Sequence, residues 1–126
     1  MGASKDTLQG RRILVIEDSP VVGPFTADVL AELGCEVVGP APNMAVAREL
    51  IETEQFDAAL MDIHIRGERV FTLCDVLEEK GVPFVLTSGY ADWATPDKWE
   101  DRPRLQKPYT MSDVSVVLTA LFEGER

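Results

Sequence analysis

The chain has 126 residues, enough for one ordinary domain and too few for two full-sized ones. Hydrophobic residues make up 45% of it, so it can build a packed core and disorder is excluded as the default state. A net charge of −10 argues against non-specific binding to nucleic acid or to an anionic membrane, both of which need basic surface, and suits a chain that concentrates a divalent cation.

Residues 1–11 carry no apolar signal-like segment and read as a flexible extension. Residues 12–17 (RILVIE) then read as a strand buried on both faces, because apolar residues run on with little alternation. A helix follows, ending near Leu33 before Gly34, with Val22, Phe25, Val29 and Leu33 on one face. Its start has two readings: Ser19 as cap with Pro20 at the first helical position, or Gly23 ahead of Pro24. In the first, Pro24 falls inside the helix against the carbonyl of Pro20. Residues 36–39 (EVVG) form a second strand broken by Pro40 and Pro42, and Asn43 caps a helix to about Thr53 with Met44, Ala47 and Ile51 inward. Residues 58–63 (AALMDI) are a third strand. Gly67 leads into a helix carrying Val70, Leu73, Cys74 and Leu77, which Gly81 stops. Residues 82–87 (VPFVLT) are a fourth strand. Thr95-Pro96-Asp97 opens a helix that Pro103 limits to about two turns. Residues 104–106 form a short fifth strand, and Thr110 starts a last helix with Val114, Val117, Leu118 and Leu121 at helical spacing.

Five strands alternating with five helices predict right-handed crossovers and an α/β, doubly wound parallel sheet covered on both faces. Sites in such folds lie beyond the carboxyl ends of the strands. Cys35 and Cys74, with no CxxC and no His/Cys cluster, are expected to be reduced. No run approaches the ~20 apolar residues of a membrane span, so a cytoplasmic protein is expected.

The polar residues concentrate where those strands end. Glu17 and Asp18 follow the first, Asp62 lies near the end of the third, Thr87 ends the fourth, and Lys107 follows the fifth. Three converging carboxylates repel one another unless a cation joins them, and Mg²⁺, with its preference for oxygen ligands, suits the set. Asp62 is the natural nucleophile, since a carboxylate can form an acyl phosphate. Lys107 would hold a phosphoryl oxygen as a point charge, and the Thr87 hydroxyl would donate to another.

The runs ILVIEDS, ALMDIHI with Gly67 downstream, PFVLTSGY and LQKPY resemble the receiver domain of two-component response regulators, over about residues 12–122. The resemblance implies a flavodoxin-like sheet of order 2-1-3-4-5, with residues 123–126 as a tail. It further implies Asp62 as phosphoacceptor, Glu17 and Asp18 as the acidic pair with Asp18 the more direct Mg²⁺ ligand, and a metal bond from the backbone carbonyl of His64. Thr87 would be the switch hydroxyl and Lys107 the lysine partner. Two departures stand out. Receivers commonly carry Tyr or Phe three residues before the lysine, where this chain has Arg104, and Tyr90 is the nearest aromatic past Thr87. In this the chain looks like stand-alone receivers that lack the fifth-strand aromatic. Tyr90 and Arg104 are therefore assigned to a switch or partner surface, and the His64 ring to the mouth of the site.

The resemblance implies a histidine kinase or histidine phosphotransfer protein as donor and a further protein as recipient of the signal, with a homodimer left open. With only four residues after Phe122, output is expected through protein contact or as a phosphate sink or relay. Competing readings are a pseudo-receiver that only binds protein, which the intact polar set opposes, and a small Mg²⁺-dependent phosphohydrolase. The second needs an acid/base Asp where His64 stands. A flavin-binding domain of similar topology is a weaker rival, because no Ser/Thr-rich phosphate loop follows the first strand. Of Trp93 and Trp99, one is expected to pack in the core.

Overall fold

The computed structural model describes residues 7–89 and 96–124. In chain order these form β1 (Arg12–Ile16), α1 (Val22–Glu32), β2 (Glu36–Ala41), α2 (Met44–Thr53), β3 (Ala58–Asp62), β4 (His64–Ile65) and β5 (Glu68–Arg69). Then come α3 (Phe71–Lys80), β6 (Phe84–Ser88), a 3₁₀ turn (Asp97–Trp99), β7 (Arg104–Gln106) and α4 (Met111–Glu123). The main sheet runs β2-β1-β3-β6-β7 with every pairing parallel, which is the expected 2-1-3-4-5 order with β6 and β7 in fourth and fifth place.

Every residue of β3 and β6 is buried, as befits strands with helices on both faces. On one face Leu14, Ile16, Met61 and Phe84 pack with Met44, Ala47 and Ile51 of α2 and Leu73, Cys74 and Leu77 of α3. On the other, Ile13, Val15, Leu60 and Val85 pack with Val29 and Leu30 of α1 and Val114, Leu118 and Phe122 of α4. Helix ends obey local chemistry. Asn43 Oδ1 accepts from the Val46 amide at 2.9 Å, and Thr110 and Asp113 form a reciprocal capping box. Gly81 closes α3 in the left-handed region at φ 72°.

The first helix starts at Val22, between the two expected starts, and the turn that leads into it is capped by Ser19. Its Oγ accepts from the Val21 and Val22 amides at 3.2 and 3.0 Å, and the Gly23 amide donates to the Ser19 carbonyl at 3.1 Å. Pro24, lacking an N–H, passes over the Pro20 carbonyl, and the ladder resumes with the Phe25 amide on the Val21 carbonyl at 3.2 Å. The inward face differs from the expected one: Gly23, Thr26, Val29 and Leu30 are buried, whereas Phe25 is 43% exposed. Thr26 can turn inward because its hydroxyl pairs with Tyr109 Oη at 2.7 Å.

Four further expectations change. β2 does not stop at Pro40 but continues to Ala41 with a register shift against β1, which an edge strand tolerates. Gly67 does not open a helix: Arg66 (φ 52°) and Gly67 (φ 80°) form the turn of a small hairpin pairing His64 with Arg69 and Ile65 with Glu68. Two successive positive φ values mark the tight turn whose twist suits a hairpin. The short helix before Pro103 is a 3₁₀ turn, and its expected start at Thr95 lies outside the described residues. Residues 1–11 are not all a loose extension, since Leu8 is 1% exposed and Arg11 lies 4.0 Å over the Phe122 ring.

Trp99 is the packed tryptophan, edge-on to Phe84 at 5.6 Å, while Trp93 lies outside the described residues. Arg102 stacks over both rings and pairs with Glu78 at 3.0 Å, and Lys98 pairs with Asp75 at 2.8 Å, so the 3₁₀ turn is held against α3. Cys35 and Cys74 are free and buried, and burial pushes the Cys74 thiol up to about 12.

Candidate functional site

Parallel pairing brings the carboxyl ends of the strands to one edge. Asp62 on β3 stands in register with Thr87 on β6, and Thr87 with Leu105 on β7, two residues ahead of Lys107. Glu17 and Asp18 leave the end of β1 at the same edge. The carboxylate oxygens of Glu17, Asp18 and Asp62 lie within 4.8 Å of one another. Between two of them sits an ammonium: Lys107 Nζ is 2.9 Å from Glu17 Oε1 and 2.7 Å from Asp62 Oδ2.

Backbone amides complete the arrangement. His64 N–H donates to Asp62 Oδ1 at 3.2 Å, Ser19 N–H to Glu17 Oε2 at 3.1 Å, and Arg66 N–H to Asp18 Oδ2 at 2.8 Å. The Lys107 amide donates to the Ser88 carbonyl at 2.8 Å, tying the lysine's loop to the end of β6. Thr87 Oγ is buried and has no hydrogen-bond partner among the described residues, an uncommon state for a buried hydroxyl.

The electrostatics follow from burial. Desolvation raises the Glu17 carboxyl above its ordinary value; Lys107 opposes the rise and the charge of Asp62 adds to it. Burial works against the charge of Lys107, but its hydrogen bonds and attraction to Asp62 and Glu17 outweigh that, and its pKa is raised. One ammonium thus stands against three carboxylates. Their all-oxygen donor set has the chemistry that holds a hard divalent cation.

Of the residues expected from sequence, Glu17, Asp18, Asp62 and Lys107 meet directly, Thr87 lies beside Asp62 in the sheet, and His64 adjoins them, half-buried, at the start of β4. Arg104 is half-buried on β7 in register with Leu86, away from the carboxylates. Tyr90 lies outside the described residues. Sequence reasoning missed three neighbours. Tyr109 and Thr26 fasten α1 to the loop after Lys107, and Arg66 supplies the amide on Asp18. The place of Tyr109 two residues after Lys107 was a readable signal for the first. Next to the site, Val21, Val22, Phe25, Lys107, Pro108 and Tyr109 line an apolar groove of about 270 Å³, with Val21 74% exposed.

No family model matches the chain. Among solved structures it is similar to SdrG from Sphingomonas melonis Fr1, with 33% identity, a TM-score of 0.80, and coverage of 90% of this chain and 97% of that one. A response regulator receiver protein from Sinorhizobium medicae WSM419 shares the fold at 21% identity and TM-score 0.79, covering 94% of this chain and 99% of that one. Among curated proteins, the transcriptional regulatory protein PdtaR of Mycobacterium tuberculosis is 26% identical over 113 residues. That match takes in 86% of this chain and 55% of PdtaR, so the chain spans about half the length of the curated relative. Sheet order, the polar cluster at its carboxyl edge and full-length likeness to a relative above 30% identity agree: the chain belongs to the receiver domains of response regulators.

Proposed function

We propose that the chain is a phosphorylation switch in which Asp62 accepts a phosphoryl group from a histidine kinase or a histidine phosphotransfer protein. A carboxylate oxygen of Asp62 attacks phosphorus, the P–N bond breaks, and its electron pair stays on the donor imidazole. Glu17, Asp18, Asp62 and the backbone carbonyl of His64 would hold Mg²⁺, which when bound offsets repulsion between carboxylates and the incoming phosphoryl oxygens. Lys107 exchanges its contacts with Glu17 and Asp62 for a phosphoryl oxygen, and the Thr87 hydroxyl donates to another.

One observation carries the reading: a half-buried ammonium bridging two buried carboxylates beside a buried hydroxyl that lacks a partner among the described residues. New charge at Asp62 gives that hydroxyl an acceptor and shifts the population of the loop after β6. We assign Arg104 and, from its place in the sequence alone, Tyr90 to the partner contact that senses the change, unless the domain serves as a phosphate sink or relay. The apolar groove around Phe25 and Tyr109 shares Lys107 with the site, and we assign docking of the donor protein to it. Transfer and hydrolysis both take place on the chain's own Asp62, so it is no enzyme towards a separate substrate. Among the described residues no helix is long and apolar enough to cross a membrane. A switch supplied by such a donor would work in the cytoplasm, and that is the location we propose.

The test is labelling with acetyl phosphate followed by intact mass. A gain of about 80 Da that requires Mg²⁺ and vanishes in Asp62→Asn supports the switch. If wild type shows no gain, binding of beryllium fluoride to the Mg²⁺ form separates a short-lived phosphoryl group from an inert site, and failure there sinks the reading.

A further inference from the structure

We propose that Arg66 is a specificity residue of this site, its guanidinium drawing the phosphoryl dianion past the acidic rim. The proposal rests on Asp62 as phosphoacceptor. The physical need is plain: a chain of net charge −10 that gathers three carboxylates at one edge repels the dianion it must accept. Lys107 is committed to Glu17 and Asp62 before the donor arrives. Arg66, by contrast, is exposed and has no ion-pair partner among the described residues.

Its position is fixed from below. The Arg66 amide is held on Asp18 Oδ2 at 2.8 Å, so the root of the side chain sits on the acidic cluster itself. A groove of about 410 Å³ adjoins it, bordered by Glu17, Asp18 and Arg66 and walled by Pro20, Pro24, Pro40 and Pro42. Only Arg66 among those residues brings positive charge to the opening.

The backbone supplies a second argument. Arg66 is the non-glycine residue with positive φ among the described residues, at 52°. Glycine, asparagine or aspartate would make the same two-residue turn at lower conformational cost. The turn has no use for an arginine, so what arginine adds is its charge and its planar fork, which matches phosphoryl oxygens. The shared ligand chemistry is a phosphoryl dianion, whether carried by a small acyl phosphate or by phosphohistidine.

Second-order labelling rates with acetyl phosphate and Mg²⁺ test this on wild type, Arg66→Asn and Arg66→Lys. Asparagine tolerates the left-handed backbone, so the turn survives while the charge goes. At low ionic strength Arg66→Asn should label about three- to tenfold more slowly, and Arg66→Lys should recover most of the rate. The gap should close near ~0.5 M salt, which a merely structural defect would not do. Phosphoramidate, a P–N donor like phosphohistidine, should rank the variants in the same order. Equal rates for Arg66→Asn and wild type, a lysine variant as slow as the asparagine one, a gap indifferent to salt, or an inverted order with phosphoramidate would overturn the assignment. Wild-type protein that takes no label and whose Mg²⁺ form also fails to bind beryllium fluoride overturns the phosphoacceptor reading and this one with it; labelled wild type with an unaffected Arg66→Asn overturns this one alone.

Discussion

Replacing Lys107 by Met keeps the apolar stem and removes the ammonium that separates Glu17 from Asp62. The side chains are 19%, 3% and 7% exposed for Lys107, Glu17 and Asp62, so neither carboxylate can turn to bulk water. Removing one partner from a buried ion pair costs roughly 3–5 kcal/mol. The half-buried Asp18 side lets some water in, so the expected loss is about 3 kcal/mol, and adding Glu17→Gln should return about 1–2 kcal/mol by deleting one of the stranded charges. Urea unfolding in EDTA measures this. The pH dependence has a definite sign. Glu17 is raised above 4.5 by burial, with Lys107 opposing, so without Lys107 its pKa rises further. A carboxyl raised in the folded state contributes stability that is fully present below its unfolded value and lost as pH climbs through the folded one. The deficit of Lys107→Met should therefore be largest near pH 8 and shrink toward 4.5. A deficit under about 1 kcal/mol at neutral pH, or one that does not vary with pH, refutes the reasoning.

Asp18→Asn should raise the unfolding temperature without metal, by relieving repulsion, and abolish the further rise that added Mg²⁺ gives wild type; calorimetry with and without Mg²⁺ checks both. Tyr109→Phe strands the buried Thr26 hydroxyl, for a loss of about 1 kcal/mol in urea unfolding, most of which Thr26→Val in the same chain should restore. Gly39→Ala places a Cβ 2.8 Å from both the Ala41 nitrogen and the Val15 oxygen at φ 101°, and should cost more than about 1 kcal/mol. Gly67→Asn, with open space around it, should stay within about 0.5 kcal/mol by the same measurement.

The parts of the fold that local chemistry dictates were legible. Asn43 and Thr110 cap α2 and α4 where the sequence placed them, because a capping side chain bonds amides three residues away. The carboxylate cluster was legible for a topological reason: parallel strands joined by crossovers put every strand's carboxyl end at one edge. What stayed hidden depended on distant partners. Helical spacing placed Phe25 inward, yet Thr26 takes that place because a tyrosine 83 residues away satisfies its hydroxyl. The β4–β5 hairpin left only two residues in each strand, too few for any alternation to register, and its Arg-Gly turn lacks the usual Asn-Gly signature. Arg66 was passed over because its contact with Asp18 is made by backbone, which residue type does not announce.

Both borders of the main sheet are poor templates. β2 carries Pro40, which offers no N–H, at a place where its register already slips against β1. On the far side β7 is three residues long. An incoming extended chain would find no regular row of donors and acceptors on either border, so this fold resists the strand-by-strand accretion that leads to fibrils. A protein that docks on the domain is thereby directed away from the sheet borders, to the helices and to the carboxyl edge where Asp62 lies.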